Sequence, residues 1–291
     1  MIRVSDDGRH PAGPGELWNE SYYFNFYDNR TESGGFTRIG LRENLKESNV
    51  WCLLFQRGRP VYSRFLQNLP YTEAGMDRGL TVGGLTYRTI EPLRSAGIQF
   101  HDRETRVDLV WKALHPMVEV GAGGERLPES VTSAHLEQAG EVAGTVRLRT
   151  GETVIRGYGF RDHAWGVRDW ESMDHYELAW PVFGRDPLLG CVRITMANGG
   201  RNQAGFLFDG ADNGSIDIED MALECDADGL TQRRVALRLT DEKGRSREVT
   251  GSRIAGFTLP LDGFMIDEAM FEYSIRGGGV GYGLCEHGVR L

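Results

Sequence analysis

The chain has 291 residues, 40% of them hydrophobic and 26% charged. That balance excludes disorder and allows one large domain or two of ordinary size. A net charge of −9 speaks against a nucleic-acid partner, because gripping a phosphate backbone calls for a basic face.

The first predicted element is an aromatic run, Trp18, Tyr22, Tyr23, Phe24, Phe26 and Tyr27, which suits an opening barrel strand better than a substrate wall. Residues 72–78 and 91–97 are expected to form short helices. In His135-Leu-Glu-Gln138, an extended backbone puts His135 and Glu137 on one face and Gln138 on the other. Residues 145–150 alternate as a strand, turn at Gly151 and Glu152, and continue as a second strand over 153–160. Residues 191–196 and 215–225 are further strands. Val235, Leu237 and Leu239 share one strand face, 241–244 turn, and 245–254 return as a hairpin. The glycine run 277–283 lacks the Lys-Ser/Thr of a phosphate loop and is expected to be a kinked last strand. With 39 glycines and turn signals spaced roughly 8–12 residues apart, the pattern is all-β: two antiparallel barrel or sandwich domains.

Three features recur in order in the two halves. Trp18-Asn-Glu-Ser21 is echoed by Trp170-Glu-Ser172, Gly35-Phe-Thr-Arg-Ile-Gly40 by Gly190-Cys-Val-Arg-Ile-Thr195, and Leu53-Leu-Phe55 by Phe206-Leu-Phe208. They suggest an internal duplication, with domains 1–155 and 156–291. Cys52, Cys191, Cys225 and Cys285 form no CxxC pair, and the opening residues are polar with no apolar signal segment. Free thiols in a cytoplasmic protein are expected.

Residues 156–180 concentrate the groups that carry chemistry. Asp162, His163, Arg168 and Asp169 lie close together, and Trp165, Trp170 and Trp180 share the stretch. On an extended backbone, Asp162 and Ala164 face one way, His163 and Trp165 the other. A turn at Gly166 would bring Arg168 or Asp169 back against this strand. Aromatic walls desolvate a carboxyl and raise its pKa, whereas a cation lowers it, so Asp162 is a candidate proton donor. His163 and His135 are candidate orienting or proton-accepting groups. Tyr158, Phe160, Trp165, Trp170, Tyr176 and Trp180 are candidate substrate contacts, and Arg161, Arg168, Asp169 and Glu137 candidate supporting residues. The same cluster would equally serve as a structural ion-pair network. Asp162, His163, Asp174 and His175 are a poor metal set, because adjacent residues of one strand point apart. No metal or cofactor is expected.

Gly159-Phe-Arg-Asp-His-Ala-Trp-Gly166 resembles the Tyr-His-Asp-His-Asn-Trp-Gly signature of the carotenoid 1,2-hydratases, which are grouped with tocopherol cyclases among lipocalin-like proteins. The opening Trp18 to Asp28, His135-Leu-Glu-Gln138 and Arg161 to Trp170 look closer to an uncharacterised bacterial branch. The resemblance implies twin lipocalin-like barrels and an acid at Asp162 that protonates an alkene. Phe160, Arg161 and Ala164 stand where the signature has Tyr, His and Asn. A hydratase, cyclase or isomerase acting through a carbocation on an isoprenoid-like molecule is therefore expected, its aromatic wall steadying positive charge. The partner would be that hydrophobic molecule, collected by peripheral contact with a membrane. The alternatives are a non-catalytic carrier of a lipid, steroid or terpenoid, a two-carboxylate glycosidase, and a purely structural motif.

Overall fold

The computed structural model describes residues 2–121, 127–184, 187–208, 210 and 213–291. Strands dominate: β1 (Trp18–Asp28), β2 (Ser33–Arg42), β3 (Glu47–Gln56), β4 (Arg59–Pro70), β5 (Leu80–Val82), β6 (Leu85–Glu91), β7 (Ser95–His101), β8 (Arg106–Ala113), β9 (Val118–Glu119), β10 (Ala134–Leu148) and β11 (Gly151–Val167) come first. They are followed by β12 (Met173–Val182), β13 (Leu188–Met196), β14 (Arg201–Phe208), β15 (Asn213–Cys225), β16 (Gln232–Asp241), β17 (Ser246–Leu261), β18 (Phe264–Ile275) and β19 (Val280–Arg290). The expected helices are not there. Residues 72–78 contain only a 3-10 turn at Met76–Arg78, and 91–97 are a turn running into β7. Both segments were too short to nucleate a helix against neighbouring strand pairing.

By packing, the chain divides into two units: Met1–Met117 with Thr132–Arg168, and Val118–Val131 with Asp169–Leu291. Residue 155 lies within β11, all of which belongs to the first unit. The first unit is an antiparallel sheet in the order β4-β3-β2-β1-β11-β10-β8-β7-β6-β5. Its core is aromatic: Phe24 packs 4.8 Å from Tyr87 and 6.1 Å from Trp111. Trp111 lies against Gly140, where an added Cβ would sit 2.2 Å from the indole, so only glycine fits. The second unit is a closed barrel, β12 to β19 in sequence order, filled by Cys191, Leu237, Phe271, Tyr273 and Cys285 among others. All four cysteines are free.

Two of the three sequence echoes fall on matching elements, while Trp18-Asn-Glu-Ser21 opens β1 and Trp170–Ser172 is a 3-10 turn just before β12. In each unit the Gly-led echo lies in the second strand (β2, β13) and the apolar echo in the third (β3, β14). In each unit the first strand also pairs with the last, β1 with β11 and β12 with β19. The expected hairpin is β16–β17, and the glycine run spans the turn into β19. No helix among the described residues is long and apolar enough to cross a membrane.

Candidate functional site

Three neighbouring strands of the first unit position the cluster. Glu137 of β10 lies opposite Asp162 of β11, and Tyr23 of β1 lies opposite Asp162 on its other side. Opposed residues in antiparallel strands share a face. The row continues through Arg38 of β2 and Trp51 of β3 to Phe65 of β4. One face therefore carries Glu137, Asp162, Tyr23, Arg38, Trp51 and Phe65 side by side, with His135 and Phe160 one step along it.

His135 is the centre of this face. Its Nε2 lies 2.9 Å from Asp162 Oδ2 and 2.8 Å from Glu137 Oε1. Burial works against a charged imidazole, but the two carboxylates outweigh it and push the His135 pKa up to about 10. Asp162 mirrors this. Burial would raise its pKa, yet His135 beside it, with Arg168 and Arg38 farther off, holds it below the usual carboxylate range. Both shifts act in one direction, favouring the proton on His135 and an ionised Asp162. This direction is opposite to the one a neutral Asp162 donor requires, and sequence alone could not show which cation would reach it. Arg161, the suspected neighbour, is not responsible, since it points to the opposite face and pairs with Asp7 at 2.7 Å. Asp162 Oδ1 is buried and has no hydrogen-bond partner among the described residues. Next to it, Arg38 donates to Asn49 Oδ1 at 2.6 Å and lies 4.9 Å from the Trp51 ring.

The opposite face holds a second cluster. Glu20 of β1 accepts from His163 Nε2 and His10 Nδ1, each at 3.0 Å, and pairs with Arg9 Nε at 2.8 Å. Burial favours the neutral acid, but these contacts bring the Glu20 pKa down to about 2. His163 stacks on Tyr22 at 4.1 Å, and Trp165 stacks on His10 at 3.6 Å. The alternation expected for Asp162 to Trp165 is therefore present. It also means that His163 and Trp165 cannot act on a group held by Asp162, because the sheet lies between them.

The remaining expected residues are dispersed. Phe160 is fully buried on the Asp162 face, with Tyr158 farther along at the exposed end. Trp170 and Tyr176 belong to the second unit and form an aromatic group with Phe264, the Trp170 and Phe264 rings 5.1 Å apart. Trp180, of the same unit, lies over Gly190. Asp169 caps the 3-10 turn Trp170–Ser172, accepting from Glu171 N at 3.1 Å. Gly166 makes no turn: β11 runs through it, with φ at 132°, and pairs to its end with Trp18. Among the described residues two donor groups are compact enough to hold a metal ion, His135 with Glu137 and Asp162, and His10 with Glu20 and His163. The adjacent pair Asp162 and His163 is split between them. Sequence reasoning missed Glu20, Arg38, Asn49 and Trp51; the one available signal was a lone Glu inside the aromatic run of β1.

A model of a family described as a domain of unknown function, DUF7064, matches residues 3–289. Among curated proteins nothing matches. Several solved structures share the fold. A protein described as AttH from Nitrosomonas europaea has a TM-score of 0.67 at 11% identity, covering 96% of this chain and 95% of that one. CghA, crystallised with Sch210972, has a TM-score of 0.64 at 10% identity, with 95% and 89% covered. Kievitone hydratase from Nectria haematococca has a TM-score of 0.62 at 9% identity, with 95% and 90% covered.

Proposed function

The chain belongs to the DUF7064 family, and from that premise we propose that it is a cofactor-independent enzyme adding or removing water at an alkene of an apolar substrate. One observation carries the reading: the His135 imidazole lies within 3 Å of two carboxylates, Glu137 and Asp162, and Asp162 keeps a buried oxygen without a hydrogen-bond partner among the described residues. Such a couple is an acid and a base within 3 Å of each other. The naming of one fold neighbour as a hydratase is in keeping with it.

The protonation state selects the substrate. An imidazolium with a pKa near 10 is far too weak to protonate an isolated alkene to a carbocation. It is strong enough to deliver a proton to an enolate. The substrate is then an alkene conjugated to a carbonyl, on an isoprenoid-like or aromatic body. Water adds to the β-carbon and gives its proton to Asp162, while His135 protonates the α-carbon; the C=C bond becomes HO–C–C–H. Arg38 and Arg168 supply positive field for the enolate oxygen as it forms. Dehydration is the same path reversed. Ring closure follows when an internal hydroxyl replaces water.

The test is incubation in D2O with conjugated enones, β-ionone and chalcone among them, followed by mass spectrometry. Deuterium should enter α to the carbonyl with the native protein and not with His135→Gln. Saturable binding of these enones by the native protein with no deuterium incorporated would instead identify a carrier.

A further inference from the structure

The second unit has a cleft of its own. An open cleft of about 520 Å³ lies at one end of the closed barrel, lined by His175 and Glu177 of β12, Arg193 of β13, Leu223 and Cys225 of β15, and His287 of β19 among others. Its volume is within the usual range for small-molecule sites. These side chains stand on the inner face of the barrel. Glu177, Arg193 and His287 are one register step from Ala179, Cys191 and Cys285, which belong to the apolar filling below. The barrel is thus packed at depth and polar at its mouth.

Charge in the cleft is already balanced. Arg193 grips Glu177 through Nε at 3.0 Å and Nη2 at 2.9 Å, and Asp174 faces both His175 at 3.0 Å and Arg290 at 3.6 Å. An ionic ligand would gain little from these pairs and would have to break them. What the cleft offers is unspent hydrogen-bonding capacity. His287 Nδ1 lies 3.2 Å from the Leu230 carbonyl, which only accepts, so Nδ1 carries the hydrogen and Nε2 presents a lone pair. Burial disfavours the charged imidazole and lowers the His287 pKa. Arg193 has spent Nε and Nη2, the latter also on the Met221 carbonyl at 2.5 Å, and Nη1 has donors to spare among the described residues. The acceptor and the donor flank Glu177 on the two neighbouring strands, about 10 Å apart at their α-carbons. Met221, Leu223 and Val289 supply apolar wall. Cys225 is not a nucleophile here, because burial and nearby carboxylates raise its thiol pKa.

We infer that this cleft binds an uncharged molecule with a hydroxyl group for His287 Nε2 and a carbonyl group for Arg193 Nη1, spaced along a small apolar body. The site is separate from the His135 face, and its test does not depend on turnover. Full-length protein labelled at histidine is titrated, by NMR of the imidazole groups, with 4-hydroxyacetophenone, with acetophenone, which lacks the hydroxyl, and with 4-hydroxybenzoate, which is charged. The first should shift the His287 resonance saturably, and the other two should bind at least tenfold more weakly. His287→Phe should erase the difference between the first two probes, and Asp162→Asn should leave all three affinities unchanged. Should His287→Phe fail to fold, His287→Gln is measured the same way. Equal affinity for all three probes, or an unmoved His287 resonance, would overturn the inference.

Discussion

Asp162→Asn should lower turnover of any conjugated-alkene substrate by about 10³-fold and leave the protein folded, since a positioned acid–base group contributes ~10²–10⁴-fold. The substitution is nearly isosteric, and Glu137 stays 2.8 Å from His135 to balance its charge. What disappears is the base that collects the proton of water, together with the larger share of the field holding the proton on His135. The rate and the His135 pKa should therefore fall together. A network that only braces the sheet would behave differently: melting temperature would drop and turnover would stay.

Glu20→Gln should have the largest effect on stability, about 3 kcal/mol at pH 7. Glu20 is 1% exposed, and its carboxylate is the shared partner of Arg9, His10 and His163. Its pKa falls from 4.5 to about 2 on folding. A depressed carboxyl stabilises the fold fully above its unfolded value, and that contribution is lost as pH drops from 4.5 toward about 2. At about 1.4 kcal/mol per pH unit the window corresponds to the figure given. Urea denaturation at a series of pH values should show native stability falling more steeply over that window than the variant's, the gap between them closing as pH nears about 2. Parallel curves for the two proteins would remove Glu20 from this role.

How far the sequence could be read follows from the range of each signal. Period-2 alternation is local, so the β16–β17 hairpin, the all-β class and the faces of Asp162, His163, His135 and Glu137 were all legible. Ordered echoes such as Gly35 to Gly40 against Gly190 to Thr195 located matching strands. Partnerships were not legible. His135 meets Asp162 because β10 lies beside β11, and Glu20 meets His163 because β1 pairs with a strand more than a hundred residues later. That second pairing puts Trp165 beside His10 rather than beside Asp162. The likeness of Gly159 to Gly166 to an acid-bearing signature named a residue but not its protonation, which depends on His135 and Arg38 arriving from two other places in the chain as well as on nearby Arg168.

The most direct check is a pH titration of the His135 imidazole by nitrogen-15 NMR in the free protein. Being raised, its folded pKa implies that stability from the ion pair is complete below 6.5 and fades as pH climbs toward about 10. The resonance should accordingly stay that of an imidazolium through neutrality, with its midpoint near 10 in the native protein and lower in Asp162→Asn. A midpoint close to 6.5, unmoved by that substitution, would mean that His135 and Asp162 share no proton and that the proposed chemistry has no acid.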